Sequence, residues 1–111
     1  MLLGRSYLWV FLLSSALANA VQDIGTIKNV FIFETSYGFR LNGGFQNAAS
    51  EFGCSSAGGF ARIPAVSSGN TNSKEMYSAI LAAHAAGFSV RINTSGCMGS
   101  HFKVSGIYVD K

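Results

Sequence analysis

Two segments of the chain alternate apolar and polar side chains with a period of two. They are residues 37–42 (YGFRLN) and 88–94 (FSVRINT). This period is that of a β-strand with one face on a core and the other toward solvent. We therefore predict two half-buried strands, with the aromatic and aliphatic residues facing inward.

Three further strands are predicted from apolar runs. Ile24 to Glu34 turns apolar on both faces at VFIF, which predicts a strand buried on both sides that forms a hairpin with residues 37–42. Phe60 to Ala65 is a short strand that ends at Pro64. Phe102 to Val109 is the last strand, and Gly106 within it indicates a β-bulge.

One strong helix is predicted between the third and fourth strands. Asn72 is a good N-cap, Glu75 completes a pattern like a capping box, and Gly87 provides the stop. One side carries an apolar stripe: Met76, Tyr77, Ile80, Leu81, Ala83 and His84. The other side has small residues: Ser78, Ala82, Ala85 and Ala86. Either alanine is tolerated in solvent there, or another subunit approaches closely.

The element order is thus β-β-β-α-β-β. Gly43 to Gly59 is glycine-rich and predicted to be mostly loop, with a short helical turn over Asn47 to Phe52 as an option. Strands that do not alternate with helices exclude a parallel α/β sheet. We predict a mainly β fold with one helix, a small barrel of OB type.

Residues 1–20 have the order of a secretory signal. Arg5 precedes an apolar run, and the segment ends in Ala18-Asn19-Ala20. The run is too short for a membrane span, which needs about 20 apolar residues. We expect cleavage after Ala20 and a single exported domain over residues 21–111, in the periplasm or secreted.

Composition narrows the function classes. The chain has 111 residues, of which 49% are hydrophobic and 12% charged, so disorder is excluded. Without Arg5, seven Lys and Arg oppose five Asp and Glu. These charges are few and scattered, which disfavours a nucleic-acid partner. Cys54 and Cys97 are predicted to form one disulfide, worth roughly 4 kcal/mol in the chain-entropy model.

The sequence offers little to support catalysis. Residues 21–111 contain two histidines, His84 in the helix stripe and His101 after the cysteine loop. We interpret His84 as a hydrogen-bonded core or interface residue and His101 as exposed. Metal-ligand spacing, phosphate loops and nucleophile elbows are absent. We expect no enzyme, metal or cofactor; a small hydrolase is the least favoured hypothesis.

Neutral polar side chains and aromatic rings in the predicted loops suggest a binding surface instead. Such groups suit sugars, although turn chemistry also favours Asn and Ser. Asn93-Thr94-Ser95 matches a glycosylation sequon, which we interpret as the polar end of a strand. The candidate ligand-binding residues are Tyr37, Asn42, Phe45, Gln46, Asn70 and Asn72.

The helix MYSAILAA at residues 76–83, the strand GFSVRI at 87–92, Cys97 and the closing strand resemble the B subunits of pentameric bacterial toxins. That family includes the B subunits of pertussis toxin, subtilase cytotoxin and typhoid toxin. The resemblance covers about a third of residues 21–111. It implies an OB-fold ring of five subunits, helices that line a pore, a face that binds cell-surface glycans and a toxin A subunit as partner.

Two hypotheses from different classes follow. The first is an exported, non-enzymatic, homo-oligomeric protein that recognises glycans. The second is a small monomeric periplasmic or envelope accessory protein, or an inhibitor, that binds another protein. The low charge and high apolar content favour the oligomer, because a short chain has limited interior in which to bury apolar surface.

Overall fold

The computed structural model describes residues 21–54, 56–64 and 72–111. The predicted signal segment therefore lies outside the described residues. The elements, numbered in chain order, are β1 (Val21–Ile32), β2 (Tyr37–Leu41), α1 (Gln46–Phe52), β3 (Ala61–Ile63), α2 (Ser73–Ala86), β4 (Ser89–Met98) and β5 (His101–Asp110).

In this described part of the chain, the five strands form a closed ring in the order β1-β2-β3-β5-β4, with β4 returning to β1. All neighbouring strands are antiparallel except β3 and β5, which are parallel. The predicted mainly β fold and the hairpin of the first two strands are confirmed. The predicted fold with a single helix is wrong in one respect: the helical turn offered as an option over Asn47 to Phe52 is a second, short helix, α1, within the segment expected to be mostly loop.

β1 closes the ring because it is long enough to pair with two strands. Its first half pairs with β4, from Val21 opposite Thr94 to Thr26 opposite Ser89. Its second half pairs with β2, and the register shifts between Ile27 and Asn29. Such a bulge increases the local twist and bends the strand, which carries β1 from one neighbour to the other.

The β4–β5 pair contains the bulge predicted at Gly106. Asn93 pairs with Gly106, whereas Thr94 pairs with Val104, so Ser105 is the extra residue. The shift changes which residues of β5 face inward. Val104 is buried before it, and Tyr108 is 51% exposed after it.

α1 is held against β1 by a buried carboxylate. Asp23, only 5% exposed, accepts hydrogen bonds from the backbone N–H groups of Asn47 at 2.8 Å and Ala48 at 3.1 Å. The first N–H groups of a helix have no partner within the helix. Asp23 supplies acceptors for two of them from a different element.

α2 begins and ends where the sequence predicts. Asn72 is the N-cap residue, although its side chain makes no capping hydrogen bond, because its ψ of 18° differs from the extended backbone of a typical cap. Gly87 ends the helix in the left-handed conformation with φ 72°. The N–H of Phe88 reaches the Ala83 carbonyl at 3.0 Å, as in a Schellman motif.

The core lies inside the ring, where the predicted inward residues of β2 and β4 are buried except Tyr37, which is half-buried. α2 covers it with Ile80 and Ala83, whereas Leu81 is 41% exposed and His84 is exposed, so the predicted apolar stripe is wider than the buried one. The fully buried large side chains are Phe39, Phe45, Ile63, Ile80, Val90, Ile92, Phe102 and Val104.

The prediction that Val30 to Phe33 is buried on both sides is wrong. Ile32 is 74% exposed, and Phe31 and Phe33 are only half-buried. On the side of the run that faces the core, Val30 packs against the core, but Ile32 at the end of β1 does not. Phe31 and Phe33 lie on the opposite, outward side. The outward side of this run becomes part of the candidate site.

The predicted disulfide joins Cys54, just after α1, to Cys97 near the end of β4, with Cα atoms 5.6 Å apart. It ties the irregular segment between β2 and β3 to the ring. Among the described residues, no helix is long and apolar enough to cross a membrane.

Candidate binding site

The outward side of β2 and β3 carries arginine where its neighbours along each strand face the core. Phe39 and Leu41 are buried on either side of Arg40, and Ala61 and Ile63 on either side of Arg62. Because successive side chains of a strand point to opposite faces, both guanidinium groups lie outside the ring, and both residues are half-buried.

Four aromatic rings surround these arginines. They come from the end of β1, the residue before β3 and the first residue of β5. We call the whole set the aromatic–cationic face: Phe31, Phe33, Arg40, Phe60, Arg62 and His101.

The rings are in mutual contact. Phe60 lies centrally, with ring centroids 5.2 Å from Phe31, 5.8 Å from Phe33 and 4.1 Å from His101. The Phe33 ring is nearly parallel to that of Phe60, at 18°. Aromatic pairs at such distances stabilise beyond the area they bury.

Two backbone features bring these rings together. The Phe102 N–H donates to the Phe60 carbonyl at 3.2 Å, which sets Phe60 beside His101. The Phe33 N–H donates to the Ser36 carbonyl at 2.9 Å in the β1–β2 turn, and Phe33 lies over Gly38. A Cβ at Gly38 would be 2.7 Å from the Phe33 ring, so glycine makes room for it.

Each guanidinium lies over phenylalanine rings. Arg62 Cζ is 4.6 Å from the Phe33 centroid, and Arg40 Cζ is 5.5 Å from Phe31 and 5.6 Å from Phe60. These are cation–π distances. Within the described chain, neither arginine makes a side-chain hydrogen bond or ion pair.

Unsatisfied polar atoms concentrate on this side of the ring. Six buried side-chain atoms lack a hydrogen-bond partner in the described residues, and four lie here: Nε of Arg40, Nε of Arg62, Nδ1 of His101 and Oδ1 of Asn29, which pairs with Arg40 in the β1–β2 register. Native proteins keep few buried polar atoms without a hydrogen-bond partner. Their concentration marks this surface as a candidate site.

The electrostatics of the face disfavour a further positive charge. Burial and the neighbouring Arg62 guanidinium lower the pKa of His101 below its ordinary value of 6.5, and the Met98 backbone acts in the opposite direction. His101 is half-buried beside Phe60; the expectation that it is exposed is wrong.

The predicted ligand residues do not gather in one place. Asn42, at the far end of β2 from Tyr37, donates to Thr26 Oγ1 at 2.9 Å, and Gln46 donates to the Gly43 carbonyl at 3.2 Å. Both side chains are exposed; the Gln46 bond lies within its own turn, whereas the Asn42 bond reaches across to β1.

The two aromatic residues among the predicted ligand residues pack within the fold. Tyr37 stacks on Tyr77 of α2, with ring centroids 4.1 Å apart. Phe45 is fully buried against the rings of Phe39 and Phe102, so it presents no surface to a ligand. Asn72 is the exposed N-cap of α2, and Asn70 lies outside the described residues.

The remaining chemically interesting residues have structural contacts. His84 Nδ1 is 3.2 Å from the Ile27 carbonyl oxygen, so the ring anchors α2 to β1; it is hydrogen-bonded as predicted, but exposed and not in the core. Asn93 Oδ1 accepts from Gln22 across the β1–β4 pair at 3.0 Å. Within the described chain, no three His, Cys, Asp or Glu side chains form a group that could hold a metal ion.

A cleft of about 610 Å³ lies between the start of α2 and the β4–β5 hairpin. Its lining includes Met76, Met98 and Ile107. Pro64 and Asn72, which flank residues 65–71, line it as well.

One sequence pattern points to the aromatic–cationic face. Arg40 and Arg62 each lie between two inward-facing residues of a strand, and the outward-facing residues at the end of β1 are aromatic. That these aromatic and cationic residues share one surface can be recognised only when the order of the strands is known.

Comparison with protein-family models, with curated proteins and with solved structures finds no match to this chain.

Proposed function

We propose that this protein is an exported, non-enzymatic binding protein that recognises glycans through the aromatic–cationic face. The observation that carries the proposal is the set of half-exposed rings and unpaired guanidinium groups on the outward side of β2 and β3. Aromatic rings can pack against the C–H groups of a sugar face. The guanidinium N–H groups can donate to its oxygen atoms.

The strand arrangement supports the finer proposal that the ring is a barrel of OB type. The order β1-β2-β3-β5-β4, with a helix between β3 and β4, is that of a five-stranded Greek-key barrel. In OB folds, the face of strands 2 and 3 and the adjoining loops bind oligosaccharides or oligonucleotides. Arg40 and Arg62 lie on that face, Phe33 in the β1–β2 loop and His101 just after the β4–β5 loop.

Exposed apolar residues support assembly into a homo-oligomer, with the pentamer of the toxin B subunits as the proposed form. Ile24 is 63% exposed, Tyr108 is 51% exposed, and both pair in register with Arg91, so they lie on the two strands that flank β4. Large apolar side chains exposed on one face of a sheet are typical of interaction surfaces. We propose a toxin A-like subunit as a partner on the resemblance alone.

Glycan-array binding of the oxidised protein tests the proposed recognition. We expect signal on a subset of glycans, its loss in Phe60→Ala, and its retention in Lys74→Ala, which changes an exposed residue of α2 outside this face. Native mass spectrometry of the same samples gives the number of subunits. An intact, folded protein that binds no glycan would overturn the proposal.

The second candidate is an accessory protein or inhibitor that binds another protein. Arginine and aromatic residues clustered on one surface are also typical of protein–protein hot spots. Capture of a defined partner that is lost in Arg62→Gln, together with a blank glycan array, would favour this function.

A further inference from the structure

The charges of the aromatic–cationic face are unbalanced. The single ion pair among the described residues, Arg91 with Asp110 at 3.0 Å, lies elsewhere on the ring. Asp23 is buried at the start of α1. The remaining acidic residues lie in the β1–β2 turn and on the two helices: Glu34, Glu51 and Glu75.

The arrangement of cations within the sheet adds repulsion. Arg62 is the register partner of Lys103 on the parallel neighbour β5. Like charges that lie directly opposite each other on adjacent strands destabilise the sheet. An anion bound between them would convert this repulsion into attraction.

The guanidinium groups are ready to donate. Of the guanidinium nitrogens of Arg40 and Arg62, only the two Nε atoms are buried without a hydrogen-bond partner. The Nη atoms make no hydrogen bond in the described chain and are not among the buried atoms, so they reach solvent. Arginine presents several N–H groups in a rigid plane that matches carboxylate, sulfate and phosphate oxygens.

The two arginines are also separate enough to contact two anions. Arg62 pairs with Gly38, and Arg40 is two residues further along β2. Diagonal neighbours of this kind have Cα atoms roughly 7–8 Å apart. The rings of Phe31, Phe33 and Phe60 lie in contact with these cations.

We propose that the aromatic–cationic face binds an acidic saccharide that carries at least two oxyanion groups, with Arg40 and Arg62 each pairing with a different group. The groups are sulfate, phosphate or carboxylate, and the phenylalanine rings pack against the sugar units between them. This inference rests on the proposed glycan recognition and names the class of glycan. Acidic peptides and single-stranded nucleic acid, which also pairs anions with stacked rings, are the alternatives that the test separates.

Isothermal titration of the oxidised protein tests the proposal with four probes. They are a sulfated glycosaminoglycan oligosaccharide, the same oligosaccharide after desulfation and carboxyl reduction, a poly-glutamate peptide and an oligo-deoxythymidine. We expect the sulfated probe to bind most tightly. Removal of its charges should weaken binding roughly ten- to hundred-fold, the range for a charge-assisted hydrogen bond. Added salt should weaken it as well.

Three variants complete the experiment. Arg40→Gln and Arg62→Gln should each weaken binding of the sulfated probe about tenfold or more. Lys74→Gln removes an exposed cation on α2, outside the aromatic–cationic face, and should leave binding within about twofold. Circular dichroism before each titration confirms that the variants are folded.

The outcomes separate the two proposals. Equal binding of the charged and the uncharged oligosaccharide, without salt dependence, would overturn the acidic-saccharide inference and leave glycan recognition standing. Tight binding of the peptide or the nucleic acid, with no binding of either oligosaccharide, would overturn both. Loss of binding in Lys74→Gln and not in Arg40→Gln or Arg62→Gln would place the site elsewhere and overturn the inference.

Discussion

At the scale of single residues, Asp23 connects two elements that are distant in sequence. Its carboxylate is buried in β1 and accepts two backbone hydrogen bonds from α1. Because a buried donor that loses its acceptor also loses its solvation, such bonds matter more when broken than when formed.

We expect Asp23→Ala to lower the free energy of unfolding by about 1–3 kcal/mol. Asp23→Asn, which keeps one oxygen acceptor, should fall between Ala and the wild type. Urea denaturation measures these changes. Glu51→Gln, on the exposed side of the same helix, is the control and should stay within about 0.5 kcal/mol. Equal stabilities of the Asp23 and Glu51 variants would contradict the proposed role.

His101 should make stability depend on pH. Burial and Arg62 lower its pKa in the folded protein, so the unfolded chain binds this proton more readily. The contribution of the neutral His101 ring to the free energy of unfolding is complete above the unfolded pKa of about 6.5. It is lost as the pH falls below that value, until the ring in the folded protein is protonated too. We expect urea midpoints to decrease between about pH 7 and pH 5.

The variant His101→Gln cannot be protonated and should show a smaller decrease in midpoint over the same range. His84→Gln, which leaves His101 in place, should keep the slope of the wild type. If the urea midpoint of His101→Gln falls with pH as steeply as that of the wild type, the pH dependence comes from other groups.

Single residues also show what sequence alone could and could not predict. Alternation places Phe39 and Leu41 inside correctly, because one buried face is enough to produce that pattern. It cannot say what covers the opposite face, so Phe31 and Phe33 were expected in the core and instead meet Arg40 and Arg62 on the outside. The predicted ligand residues make contacts within the fold: Asn42 bonds to Thr26 of β1, Gln46 bonds within its own turn, and Phe45 faces the core.

At the scale of elements, the disulfide is the covalent link between α1 and the ring. Its Cys54 directly follows the Gly53 that ends α1, and Cys97 lies in β4, 43 residues further on. Residues 42–54 and 56–60 of the segment that it anchors contain no strand.

We expect reduction of the disulfide to lower the free energy of unfolding by about 2–4 kcal/mol, since the link restricts the unfolded chain. Guanidinium denaturation with and without dithiothreitol measures the change. The double variant Cys54→Ala/Cys97→Ala should match the reduced wild type and be insensitive to the reductant. Identical midpoints for oxidised and reduced protein would contradict the prediction.

The helices illustrate the same limit at the level of elements. α2 was predictable because its stripe, N-cap position and Gly87 stop all indicate one helix. α1 has seven residues and no acidic residue in its first turn, so its own sequence predicts a helix only weakly. Its stabilising acceptor is Asp23 on another strand, and no local pattern reveals that contact.

At the scale of the whole molecule, the proposed oligomer must cover apolar residues that are exposed in one chain. Leu81 on α2 is 41% exposed, beside the exposed Ser78, Ala82 and Ala85. Small neighbours allow a second chain to approach closely, and Leu81 would then be buried at the contact.

We expect Leu81→Glu to reduce the native mass from that of an oligomer to that of one chain, because a carboxylate would be buried without a partner. Lys74→Glu, at an exposed position on the same helix, should leave the mass of the assembly unchanged. Native mass spectrometry makes the measurement. A wild-type protein that is monomeric at micromolar concentration would contradict the prediction.

The parallel contact between β3 and β5 has a consequence for local opening. β3 has three residues, and only Ala61 and Arg62 pair with β5, so this is the place where the fewest backbone bonds must break to open the ring. Amide protons of β3 should therefore exchange with deuterium sooner than those of β4. Each opening would expose two bare strand edges, which are templates for intermolecular pairing. Aggregation under mild denaturing conditions should begin where β3 separates from β5.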